Sequence, residues 1–450
     1  MKKFLKIAAV ILISLLILFL GTLKYRNYSA NQIAIPKNTT SLVKISVDEI
    51  LKTLAFNAIS NPVHYFKSDT GKNVGRSFKR IDHGLSIPAN LYLYTIKDQP
   101  NTSFFARFKI RNLQNFEDFL SKAVGFKIKK VSNKLNYAKS VLGNVAIWYD
   151  EKSAAVVFSS QIANFDAVLK DVLNEKDFKE MSDGGFSQLI KSSSHVAFQE
   201  NAQLAELDFK SGEISFNGIF NTLEGMKIKS GLNSHQPANT NHVMNFWLNA
   251  DFERNIKKEF KLKNVVIEQD SLVKYYQGNI DMEWINTIKQ TDSIITYEYN
   301  DDFEKVQKVT LQQKDVPNVL INISADALPL KNYLARQNVI YLDSGVVNKS
   351  VFPLYQVFVG GNSKQLTLST TKEPSLHQYS QKNNNFLALN VNFKQLNRQV
   401  SLPIISRYLE SLKYLTVTAQ ATRDKKIAIQ GKLEMNNQDI NALYQLLTTL

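Results

Sequence analysis

Along much of the chain, apolar and polar residues alternate with period two, then switch to the helical period of about 3.6. The pattern is cleanest at the carboxyl end. Leu415, Val417, Ala419 and Ala421 alternate with Thr416, Thr418, Gln420 and Thr422; after Asp424-Lys425, Ile427, Ile429, Gly431 and Leu433 alternate in the same way. Ile440, Leu443, Tyr444 and Leu447 then recur at i, i+3, i+4 and i+7, with Asn437 placed to cap the helix they predict. Two earlier stretches repeat this strand–turn–strand–helix order. Leu91–Ile96 and Ser103–Ile110 precede a stripe of Leu113, Phe116, Leu120 and Ala123 behind a capping Asn112. Asn144–Tyr149 and Ala154–Ser159 precede Ile162, Phe165, Leu169 and Val172. One-sided alternation predicts antiparallel sheets with one wet face and helices on the other, an α+β fold.

The same reading divides the chain. Leu42–Asp48 (LVKISVD) echoes Leu320–Asp326 (LINISAD), and each leads into a helical stripe, the first through Asp48 as its cap and Ile50, Leu51 and Leu54. The block His195–Leu207 with Gly212–Asn221 resembles Phe386–Leu396 with the terminal hairpin. Between them lies a polar stretch with Gly and Pro, Ser230–Asn241. The expected organisation is an anchor and stalk over 1–34, a first α+β module over 35–229, a linker over 230–241 and a second module over 242–450. A turn at Asp301-Asp302 is expected between strands Ser293–Tyr299 and Val306–Gln312.

One stretch obeys neither period. Residues 4–23 (FLKIAAVILISLLILFLGTL) are apolar apart from Lys6, behind Lys2 and Lys3 and ahead of Lys24 and Arg26. About 20 residues at ~1.5 Å each span ~30 Å, the hydrocarbon thickness of a bilayer. The small residues that signal cleavage requires are missing, since Phe19 and Tyr28 stand at −3 of the nearest sites. An uncleaved single-pass signal anchor is expected, amino terminus inside and the body outside the cytoplasm.

The chain has no cysteine, which excludes disulfides, thiolate metal sites and a cysteine nucleophile. Net charge is +15, but Lys2, Lys3, Lys6, Lys24 and Arg26 precede residue 35 with no acid, leaving +10 for the body. Its densest basic clusters, Lys127/Lys129/Lys130 and Arg254/Lys257/Lys258/Lys261/Lys263, are short and lie among apolar residues. The charge reads first as a mildly basic, well-solvated surface and, more sharply, as attraction to anionic lipid head groups or envelope polyanions; nucleic acid would need it gathered on one face, and an extracytoplasmic location removes that ligand.

No motif carries chemistry. His64, His83, His195, His235, His242 and His377 form no HxH, HxxH or HExxH pair for a metal. Asp82-His83 is a lone dipeptide. Gly71–Ser77 (GKNVGRS) is one residue short of a phosphate loop and has Arg for Lys; Gly185–Leu189 (GFSQL) lacks the second Gly of a nucleophile elbow. Asn300–Asp302 and Gly278–Glu283 lack the spacing of a calcium loop. Trp148, Trp247 and Trp284 lie in or beside strand-like text and are expected in the core. No catalytic, cofactor-binding or metal residue is assigned.

The short basic head, the apolar segment and Ile35-Pro36-Lys37-Asn38-Thr39-Thr40-Ser41-Leu42-Val43-Lys44-Ile45 leading into Asp48–Leu54 resemble the envelope-anchored proteins of unknown function in Bacteroidota. That resemblance covers about the first 60 residues and implies an anchored, sheet-rich ectodomain with no site residue to carry over. The expected role is non-catalytic: binding or scaffolding in the cell envelope, with the membrane, other envelope proteins or anionic head groups as partners. The alternatives are a carrier or chaperone for a lipid or other apolar ligand, and an envelope hydrolase with a non-contiguous carboxylate site.

Overall fold

The computed structural model describes residues 21, 22, 24–66, 82–228, 233–235, 240–253, 259–262, 265–299, 303–373, 381–399, 406, 409–424 and 426–449. The fold is α+β, rich in antiparallel strands. It separates into two compact units, residues 1–211 with 439–441 and residues 212–438 with 442–450. Among the described residues no helix is long and apolar enough to cross a membrane. The anchor expected over 4–23 lies outside them, apart from Gly21 and Thr22.

In the first unit a helix over 24–31 (α1) replaces the expected polar stalk and leads to β1 (Ala34–Pro36), β2 (Thr39–Ser46), α2 (Val47–Ser60) and α3 (Pro62–Phe66). Then come β3 (Asn90–Ile96), β4 (Ser103–Lys109), α4 (Leu113–Asp118), β5 (Lys127–Lys130), β6 (Asn136–Lys139), β7 (Val145–Tyr149) and β8 (Ser153–Ser159). The unit closes with α5 (Asp166–Leu173), β9 (Phe178–Glu180), α6 (Ser187–Lys191), β10 (Val196–Glu200) and β11 (Gln203–Lys210). Antiparallel pairing runs β11–β10–β2–β3–β4–β8–β7–β6–β5, with β1 on β9 apart. Asn112 caps α4 as expected, its side chain accepting from the Asn115 amide at 3.0 Å.

The expectation of helices on a single face fails at β7 and β8. Ala146, Trp148, Ala155 and Val157 join a core built with Leu169, Val172 and Leu189 of α5 and α6. Ile147, Tyr149, Ala154 and Val156 point the other way, to Phe116 of α4 and Leu120 in the turn after it. The continuous apolar run Ala154–Phe158 is what a strand covered on both sides requires.

In the second unit β12 (Glu213–Asn221) pairs along its length with the last strand, Lys426–Met435, so this stretch belongs here and not with the module expected over 35–229. Next are β13 (Met226–Ile228), β14 (Asn233–His235), β15 (Met244–Leu248), β16 (Ala250–Phe252), β17 (Glu259–Leu262), β18 (Val265–Glu268) and α7 (Gln269–Tyr275). A long hairpin follows, β19 (Tyr276–Tyr299) on β20 (Lys305–Ala325), running well past the strands expected on either side of the turn. The turn residues 300–302 are outside the described set. Helix α8 (Ala327–Arg336) packs Leu330, Tyr333 and Leu334 against Ala325, Ile340 and Leu366. At the carboxyl end the alternating runs form the hairpin Leu412–Ala421 and Lys426–Met435. The last helix begins at Ala442, later than Asn437 could cap.

His195, just before β10, ties the first unit's sheet to α2. Its Nδ1 accepts from the Phe209 amide (2.8 Å), so the proton sits on Nε2, 2.9 Å from the Thr53 hydroxyl. That arrangement uses neutral imidazole, although Asp208 Oδ1 lies 3.7 Å from Nδ1. Burial lowers the ring's pKa, against the opposing pull of Asp208 and Glu49. In the unfolded chain the ring takes up a proton near pH 6.5, in the native state only at lower pH. Between those values the unfolded state binds more protons, so stability is full above about pH 6.5 and falls as pH drops, by at most ~1.4 kcal/mol per pH unit. Urea unfolding at pH 7.5 and 5.5 should show this loss in the native chain and a smaller one in His195→Gln.

Candidate functional site

Helices α2 and α3 are amphipathic with the usual faces exchanged. Leu51, Phe56, Ile59, Val63 and Phe66 are between 57% and 73% exposed; Phe56 and Ile59 stand three apart in α2, and Val63 and Phe66 three apart in α3. Scattered exposed apolar residues are ordinary, but five this close together in sequence make a stripe that is a candidate interaction surface. The inward side carries Asn57, which is buried. Its Nδ2 donates to Ser211 Oγ (2.8 Å) and to the Asp439 carbonyl (2.8 Å); its Oδ1 accepts from the Asn441 amide (2.8 Å) and from the Tyr65 hydroxyl. Thr53, on His195, lies on the same inward side. With polar groups satisfied inside, the apolar stripe is turned out. The apolar face read as Ile50, Leu51 and Leu54 is thus split, Leu51 outside and the other two half-buried.

The start of α2 is fastened to α1. Arg26 grips Asp48 through two hydrogen bonds, Nε to Oδ2 at 2.9 Å and an NH group to Oδ1 at 3.0 Å, so Asp48 serves as an ion-pair partner in the first turn instead of a cap. Asn90 donates to Asn27 (2.6 Å) and Asn31 (2.8 Å), and the Tyr92 hydroxyl donates to Asn31 at 2.6 Å. Helix α1 and the stripe therefore belong to one packed body.

The residues singled out in the sequence do not converge. Asp82 and His83 turn to different neighbours. Asp82 accepts from Arg111 (2.6 Å), Asn115 (2.8 Å) and the Gly84 amide (3.0 Å), while His83 Nδ1 accepts from the Leu85 amide (3.0 Å). The Gly84 amide, then Asn115 and Arg111, hold the Asp82 carboxyl below its usual pKa. His64 is exposed on α3, His235 is in β14, and His377 and Gly71–Ser77 lie outside the described residues. Gln199 bonds the Leu189 amide and the Gly185 carbonyl, making 185–189 a structural corner. Trp148 and Trp247 are buried as expected, whereas Trp284 is only half-buried; the Trp148 indole donates to Asp166 at 2.9 Å.

Sequence spacing gave no sign of two buried ionic groups. Lys44 donates to the carbonyls of Ile190 (3.2 Å) and Ser192 (2.8 Å) at the end of α6, and burial lowers its pKa. Glu283 on β19 is buried with His242 Nδ1 at 3.6 Å, and burial raises its pKa. Their partners are far apart in sequence, so no local motif could announce them. Among the described residues no group of three or more His, Asp or Glu side chains could hold a metal ion.

No protein-family model and no curated protein matches the chain. Among solved structures, it is similar to TP0453 in crystal form III at 12% identity and a TM-score of 0.27, over 46% of this chain and 87% of that one. Form IV gives 10% identity and a TM-score of 0.23, over 75% and 92%. At such scores the likeness bears on neither fold nor function.

Asn57→Ala should leave the groups it joins unpaired and cost about 2–3 kcal/mol, read as a lower urea midpoint. Phe56→Ser, on the stripe, should leave the midpoint nearly unchanged.

Proposed function

We propose that this is a single-pass, membrane-anchored extracytoplasmic protein with a non-catalytic binding or scaffolding role in the cell envelope. The observation that carries the reading is the outward apolar stripe of α2 and α3, fastened through Arg26–Asp48 to helix α1, which follows the apolar segment 4–23 in the sequence. Helix α1 begins at residue 24, directly after segment 4–23 in the sequence, and its Arg26 holds Asp48, so a bilayer holding 4–23 would lie beside the start of α2. Lipid is then the natural cover for the stripe, as for other interfacial amphipathic helices. Exposed Lys127, Lys129 and Lys130 on β5 are available to anionic head groups or acidic partner proteins.

The resemblance of the first 60 residues to envelope-anchored proteins agrees with this reading. The proposal includes a body of two related modules behind one transmembrane helix; β2 leading into α2 as β20 leads into α8 supports the kinship of the modules.

Because the chain has no cysteine, single-cysteine labelling tests the reading directly. A nitroxide at Ile59→Cys in the full chain, held in lipid nanodiscs, should be open to oxygen and shielded from a water-soluble nickel chelate. The exposed turn position Lys97→Cys should show the reverse; equal behaviour at both would remove membrane contact of the stripe. A carboxyl-terminal tag should be cut by protease before cell lysis, and cleavage only after lysis would overturn the extracytoplasmic location.

A further inference from the structure

The second unit holds a recess of about 390 Å³ between α7, the start of the long hairpin and α8, within the ~300–1,000 Å³ of small-molecule sites. Its origin is a break in strand pairing. Tyr276 pairs with Ala325 and Ile280 with Ile323, so the register shifts between them, around Gly278 at φ 88°. Such a bulge bends the strand and re-aims its side chains. Here it separates Leu272 and Val273 of α7 from Ile280 and Ile323 on the sheet, with Leu330 of α8, Phe252 and Phe260 completing the wall.

The chemistry of the wall is narrow. Among the described residues it carries no charged side chain; Gln269 and Tyr276 are its only polar members. The Tyr276 ring packs 5.8 Å from that of Phe252, and its hydroxyl is buried with no hydrogen-bond partner. An unsatisfied buried hydroxyl is costly, and burial together with nearby Asp251 keeps this one protonated, hence a donor. A wall of this kind rejects ions, accommodates hydrocarbon, and offers hydrogen-bond donors only at Tyr276 and Gln269.

We propose that this recess binds a fatty-acyl chain, with the acyl carbonyl accepting the Tyr276 hydroxyl hydrogen bond. The chain comes from a free fatty acid or from a membrane lipid. The proposal does not depend on the anchored, membrane-contacting role above, since the recess lies wholly within the second unit.

The test is photolabelling of the full chain in cell membranes. The probes are palmitic acid bearing a diazirine on its chain and, separately, a phosphatidylethanolamine with the same chain, and labelled peptides are mapped. Label at Gln269–Ile280 or beside Phe252 is expected from at least one probe, and the probe that labels identifies the source. Label at 4–23 reports the anchor independently, so failure of either reading is visible alone. Label absent from the recess with both probes would overturn the proposal. Val273→Trp, which fills the recess from a position outside the core cluster, should abolish recess labelling and spare the rest. Tyr276→Phe keeps the shape and should lower labelling about fivefold, the worth of one hydrogen bond; unchanged labelling would refute the carbonyl contact.

Discussion

Each strand in either unit must pair its backbone groups with a neighbour, most also bury at least one face, and no disulfide shares that task. Antiparallel pairing meets the requirement among the described strands, and the remaining features are adjustments to it. Where apolar residues occupy both faces, as in β7 and β8, helices come to both sides. Where pairing slips, as between Tyr276 and Ile280, the sheet opens into a recess.

The helices differ in how they use this scaffold. In α5 and α8 the apolar side faces the sheet, as for most surface helices. In α2 a buried asparagine with a complete set of partners takes that place. A satisfied polar network can hold a helix as firmly as apolar packing and leaves the apolar side free for another role. That inversion distinguishes α2 from an ordinary core helix.

The two proposed binding features share an apolar character but differ in geometry. The stripe lies on the outside of α2 and α3 and would suit an extended apolar phase such as a bilayer interior. The recess is concave and suits a single chain.

Local pattern in the sequence determined a good deal. The hairpins ending in Ser159 and Met435, the cap at Asn112 and the burial of Trp148 and Trp247 follow from periodicity and residue type. The doubly covered β8 was also written in its unbroken apolar run. Tertiary structure alone decided the rest, because the deciding contacts join residues far apart. Glu213–Asn221 belongs to the second unit through a strand more than 200 residues later. The outward turn of α2 depends on Asn57 meeting Ser211, Asp439 and Asn441, and the recess on a register shift between β19 and β20. Periodicity says that a helix has an apolar side; only the partners of the opposite side say which way that side points.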